Sequence, residues 1–217
     1  MPAALWVQAR SLAPLLAALY GPATAVLLVA VARSRSKGFS LGMYTSDPTA
    51  TLGGHPLVGA LSSVGALGWC AAATLCLFTW LVRRRRTAGR VSAGFLLSSG
   101  LLMAALMVDD LFLVHEWIAP RVLGMPENLV LSVYALAMLT WLVAFRWTIV
   151  ATEYLLLVLA AGFAALSLAV DLTWDSSADL RYFLEDGSKL LGIVGWLGYL
   201  GRVCYRELVD PVGPLTR

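Results

Sequence analysis

Three short acidic runs carry most of the side chains in this sequence that could do chemistry. Asp109, Asp110, His115 and Glu116 lie in DDLFLVHE, Asp171 and Asp175 in DLTWD, and Glu185, Asp186 and Lys189 in LEDGSK. Carboxylates grouped with one imidazole suit Mg²⁺, Mn²⁺, Fe²⁺ or Zn²⁺, and all-carboxylate sets suit Ca²⁺. The same groups can hold and pass protons. Asp110, His115, Glu116, Asp171, Glu185 and Asp186 are therefore candidate ligands for a divalent metal ion. Asp110, His115, Glu116, Glu185 and Lys189 are candidate catalytic groups, Lys189 by holding an anionic group. Acids gathered at one depth repel unless protons, Lys189, His115 or a metal neutralise them. His55, in GGHP, is the other imidazole of the chain and stands in a loop able to reach the same site.

No compact motif sharpens that chemistry. HEWIA opens like the zincin HExxH, but Ala119 stands where the second histidine belongs. The DxxxD of Asp171–Asp175 falls short of a calcium-binding loop, and there is no GxSxG, Walker loop or CxxC. His115 alone reads first as a helix-end hydrogen-bond partner. Glu185 and Lys189, one turn apart with the acid first, read as a helical ion pair beside a helix N-terminus.

Each acidic run borders a long apolar segment. The chain is 59% hydrophobic and 13% charged, with mean hydropathy +0.79, against about 25% charged in soluble domains. A membrane-spanning helix needs about 20 apolar residues, and six segments qualify: Leu12–Val31, Leu57–Val82, Val91–Val114, Leu129–Phe145, Ile149–Leu172 and Leu184–Tyr205. The expected fold is an all-α polytopic bundle, a single integral-membrane domain over residues 1–217. Pro22 should kink the first span. The loop of residues 32–56, rich in Gly, Ser and Thr, is a possible cap over the site. Cys70, Cys76 and Cys204 do not form a disulfide framework.

Charge asymmetry orients the bundle. Lys and Arg mark the cytoplasmic side of a bacterial plasma membrane. Placing Arg83–Arg86 and Arg90 there gives that side 10 of the 16 basic residues and leaves 10 of the 13 acids outside, against the weaker opposing signal of Arg33, Arg35 and Lys37. Both termini are then cytoplasmic, and the three acidic runs share the outer rim. Trp6, Trp117, Trp147 and Trp174 fall near the interfaces. The Arg83–Arg86 run reads as a topology determinant, with an anionic lipid contact as the sharper alternative. Nothing suggests nucleic acid.

On an unbroken third helix, extending out of the membrane to Pro120, Asp109 and Glu116 share a stripe while Asp110 and His115 lie to either side. Other helices must then complete any site. In the sixth span Gly192, Gly195, Gly198 and Gly201 recur every third residue, a smooth stripe suited to close helix packing, to a larger membrane complex or to a lipid wall. Ionisable groups at the hydrocarbon rim mark a functional site by default. The reading is a membrane protein whose outer-face acidic and histidine site binds a divalent metal or protons, with action on a lipid or small molecule as the further expectation. A cation channel or transporter, and an accessory subunit of a larger complex, are the alternatives.

Overall fold

The computed structural model describes residues 2–38, 49, 52–55, 57–84, 89–174 and 179–209. Asp175, Arg85, Arg86 and much of the loop before Leu57 lie outside them. Every element among the described residues is helical, as the apolar runs require: in hydrocarbon each backbone group must be satisfied within its own segment. The chain divides into two compact units, Met1–Val58 and Gly59–Arg217.

The first unit holds α1 (Pro2–Lys37). The helix runs on through Pro22 and takes in Arg33, Arg35 and Lys37, which were expected in a loop. His55 Nδ1 accepts a hydrogen bond from the Leu57 amide at 3.3 Å.

The second unit holds α2 (Ala60–Arg83), α3 (Ala93–Phe112), a π-helical segment (Val114–Leu123), α4 (Glu127–Ala144), the short α5 (Arg146–Val150), α6 (Leu155–Thr173) and α7 (Asp179–Val209). Ser92 caps α3 by accepting from the Phe95 amide at 3.1 Å, satisfying one of the first-turn donors that a helix leaves unpaired. Three helices, α2, α3 and α4, are long and apolar enough to cross a membrane, fewer than the six expected; the apolar stretch of α6, Leu155–Asp171, is shorter. Helix α7 carries Arg181, Glu185, Asp186 and Lys189 in its first half and Arg202, Arg206 and Glu207 near its end. Outward-facing leucines and valines such as Leu101, Leu136, Leu139 and Leu159 stay exposed, the surface expected of helices that face hydrocarbon.

Helix α7 packs between α6 and α2, α2 packs on α3, and α4 rests on α3 and the π segment. Small residues set the close approaches. A Cβ added to Gly192 would meet the Ala160 carbonyl at 3.2 Å, and one on Gly195 would meet Ala160 Cβ at 3.1 Å. Gly198 and Gly201 have only side-chain tips at 3.6 and 3.8 Å, from Leu156 and Leu75. The expected glycine stripe is thus a packing surface toward α6 in its first half and ordinary van der Waals contact in its second. On α2, Gly65 and Gly68 fit beneath Ile193, and on α3, Gly100 fits beneath Leu77.

Below mid-bundle Phe95, Trp141, Phe145 and Trp196 form one aromatic cluster with ring centroids 5.3 to 6.0 Å apart. Trp141 Nε1 donates to Ser99 Oγ at 3.1 Å. At the far end Arg83, expected as a topology determinant, is buried against Glu207 at 2.6 Å. Glu207 Oε2 also accepts from the amides of Arg90 and Val91, tying the ends of α2 and α7 to the start of α3. The cysteines are thiols, with Cys76 and Cys204 Sγ atoms 3.9 Å apart between α2 and α7.

Candidate functional site

The site begins with a break in α3. Leu113 takes φ 51° and ψ 49°, a left-handed conformation that costs a side-chain-bearing residue about 1–2 kcal/mol. It ends α3 and turns the chain into the wide π-helical segment. An unbroken helix would carry His115 away from Asp109, as expected from the sequence. The break instead folds the backbone back, so that the His115 amide donates to Asp109 Oδ1 at 2.9 Å and His115 Nδ1 hydrogen-bonds Asp109 Oδ2. Tyr134, reaching over from α4, donates to Asp109 Oδ1 at 3.1 Å. Asp109 is 4% exposed, so this is a buried carboxylate with a full set of donors. The hydrogen bond that the His115 ring makes to the Asp109 carboxylate raises the His115 pKa above its ordinary value.

A second pair lies beside the first. Lys189 Nζ donates to Asp110 Oδ1 at 2.7 Å and Trp69 Nε1 donates to Asp110 Oδ2 at 3.0 Å. Lys189 therefore bridges α7 to α3 instead of pairing with Glu185 one turn away. Glu185 faces Arg181 at 3.6 Å, and Arg181 pairs with Asp171 at 2.7 Å. Because α7 starts at Asp179, Glu185 and Asp186 sit well inside the helix and not at its N-terminus as expected. Glu116 has a side chain 55% exposed, with Oε1 3.5 Å from His115 Nε2.

These groups line one cavity of about 460 Å³ between α3, the π segment, α4, α6 and α7. Asp110, His115, Glu116, Asp171, Glu185 and Lys189, all expected at the site, share its wall with Asp109, Glu127 and Tyr134. Asp186 does not reach it and borders a small neighbouring cleft with Asp110 and Lys189. Apolar side chains, among them Leu106, Leu131, Met138, Leu168 and Trp196, complete the wall. Trp196 is buried and its indole N–H has no hydrogen-bond partner among the described residues.

Asp109, Tyr134, Trp69 and Arg181 are the participants that the sequence reading did not place in the site. Only the adjacency of Asp109 to Asp110 hinted at its part. Among the described residues no group of three His, Cys, Asp or Glu side chains is arranged to hold a metal ion. The carboxylates of Asp109, Asp110 and Asp171 are instead engaged by protein donors.

A family model matches residues 21–203. The chain belongs to the family described as domain of unknown function DUF8692. The matched segment takes in every residue lining the cavity. No curated protein and no solved structure matches the chain.

Proposed function

We propose that the cavity binds a small molecule or lipid drawn from the bilayer, and that the Asp109–His115 pair exchanges a proton with it. One observation carries the reading: a cavity of about 460 Å³ lined by both ionic and apolar side chains, within the size range of about 300–1,000 Å³ usual for ligand sites. A ligand matching that wall has a polar group and an apolar body. The indole N–H of Trp196 supports a ligand with an acceptor oxygen, since a buried donor left unpaired costs about 1–3 kcal/mol.

The proton chemistry follows from the hydrogen bonds. An ionised carboxylate only accepts, so Asp109 fixes the His115 proton on Nδ1. Nε2, with the exposed Glu116 Oε1 3.5 Å away, is then the ring atom that can take a proton from the bound molecule or give one to it. Lys189 and Trp69 both donate to Asp110, and Lys189 can turn toward an anionic group. Protons are better supported than a divalent metal, because metal binding would require Lys189 and Arg181 to leave the carboxylates they hold. The aromatic cluster that fills the bundle beyond Trp196 favours a closed binding site over a conducting pore.

The reading includes α1, α6 and α7 as further membrane crossings, six in all, with both termini cytoplasmic in a bacterial plasma membrane. Pairing of Lys189 with Asp110 and of Arg181 with Asp171 supports the burial of α7, since charges at membrane depth pair or face a cavity.

The test is a comparison of wild type with Leu168→Trp, which fills the cavity from its open side. Molecules co-purifying with each are extracted and identified by mass spectrometry. The wild type should carry a species that Leu168→Trp lacks, and the emission of Trp69 and Trp196 should shift when that species is added back. Identical extracts from two folded proteins would end the reading.

A further inference from the structure

The contact between α2 and α7 holds two thiols that the cavity does not use. Cys76 and Cys204 stand 128 residues apart in the chain, yet their sulfurs meet at 3.9 Å. Both are buried, and neither is in a disulfide. Cys76 follows Trp69 by two turns of α2, and Cys204 follows Trp196 by just over two turns of α7. Trp69 and Trp196 both line the cavity, so the thiols belong to the continuation of one of its walls. A disulfide holds its sulfurs at about 2.05 Å, so this pair must close by about 2 Å. At this level Gly201 of α7 meets only the tip of Leu75, at 3.8 Å. The end of a flexible side chain spaces the helices here, not backbone against backbone, which leaves room for the sulfurs to turn toward each other. Thr79, one turn beyond Cys76, is buried, and its Oγ1 has no hydrogen-bond partner among the described residues. A small polar molecule reaching this contact would gain a hydrogen bond from it.

The geometry points to a modification site: a peroxide joins Cys76 to Cys204 in a reversible disulfide between α2 and α7. In the first step one sulfur attacks a peroxide oxygen and the O–O bond breaks, giving a sulfenic acid and water. In the second the other sulfur attacks the sulfenic sulfur. The S–S bond forms, the S–O bond breaks, and the hydroxyl leaves as water with the proton of the second thiol. Two thiols and one hydrogen peroxide thus become one disulfide and two waters, the sulfurs oxidised and the peroxide reduced. Burial slows the first step, and a small neutral oxidant is the kind that enters such a contact. The second sulfur is already in place, which speeds the second step and stops oxidation at the reversible bond. The bond would clamp the two helices whose Trp69 and Lys189 both donate to Asp110, fixing that wall of the cavity under oxidising conditions.

The full chain in its membrane serves for the test. Membranes are treated with hydrogen peroxide up to millimolar strength and the peroxide is removed with catalase. Remaining thiols are blocked in denaturant, and the digested protein is read by mass spectrometry. The peptide carrying Cys76 should be found joined to the peptide carrying Cys204, and dithiothreitol should release both as thiols. Cys70→Ser should give the same joined pair, since the exposed Cys70 takes no part. The oxidised chain should also unfold at a higher temperature than the reduced one, because the bond closes a long loop. Cys70→Ser keeps that difference and Cys204→Ser loses it; Cys76→Ser serves where Cys204→Ser does not fold. Separate Cys76 and Cys204 peptides at every dose, whether as thiols or as sulfinic acids, overturn the proposal. So does a bond from either cysteine to Cys70 or to a second chain, or a joined pair that leaves the thermal midpoint where it was.

Discussion

His115 is held by Asp109 through both its ring and its backbone amide, and this pairing makes stability depend on pH with a definite sign. The carboxylate raises the folded-state pKa of the imidazole, so protonated His115 favours the folded state. Its contribution is complete below the unfolded value of about 6.5 and is lost as pH rises through the raised value. The thermal midpoint of wild type should therefore fall from about pH 6.5 upward relative to Asp109→Asn, whose neutral amide cannot hold the imidazolium. Parallel midpoints for the two proteins between pH 5 and 9 would mean that Asp109 does not charge the ring. At this scale the sequence showed which residue types gather, and six of the seven named site residues line one cavity. It did not show who pairs with whom. Lys189 has Glu185 one turn away on its own helix and Asp110 on another, and a helical wheel sees only the first. Arg181 and Tyr134 were invisible because each acts on a carboxylate from a different element or turn.

Elements explain why those pairings were hidden. The approach of His115 to Asp109 depends on Leu113 leaving the helix at φ 51°, and leucine gives no signal for that conformation. Leu113→Gly should remove the steric cost without moving the break, and so leave stability unchanged or raise it by up to about 1–2 kcal/mol. Leu113→Val should lower it, because a β-branched residue is least tolerant of positive φ. Thermal midpoints in one detergent check both, and a Gly variant less stable than the Val variant would show that the side chain matters more than the backbone. The glycine stripe was legible, but its division was not. Gly195 touches the Ala160 backbone whereas Gly198 meets only the tip of Leu156, a distinction set by which side chains of α6 face each glycine. Gly195→Ala should cost stability while Gly198→Ala stays near wild type, since only the first forces backbones apart; overpacking of this kind costs about 1–3 kcal/mol. Equal losses at both positions would contradict the packing of α7 on α6.

At the scale of the whole molecule, composition alone gave an all-helical membrane protein, and three helices have the length and apolarity to cross. Of the other expected crossings, α6 has a shorter apolar stretch, and the sixth, α7, carries charges that are compensated by partners far apart in sequence, such as Lys189 by Asp110 across 79 residues. Hydropathy counts such a lysine as a full charge, while the fold presents it as half of a pair. The same compensation bears on orientation. Arg83 is buried against Glu207, so it contributes to the fold as well as to the basic end of the bundle, and the orientation argument then rests more on Arg84, Arg90, Arg146, Arg202 and Arg206. These still share one end, opposite the cavity that collects Asp109, Asp110, Glu116, Glu127, Asp171 and Glu185. Positive charge is retained on the cytoplasmic side during insertion, so the cavity should open outward. Single cysteines at Leu123, beside the cavity end, and at Arg84, at the basic end, can be placed in a chain whose Cys70, Cys76 and Cys204 are changed to Ala or Ser. An impermeant maleimide added to intact cells should label the Leu123→Cys protein and spare the Arg84→Cys protein until the membrane is permeabilised. The reverse pattern would place the cavity on the cytoplasmic side, and labelling of both sites in intact cells would remove the membrane from between the two ends altogether.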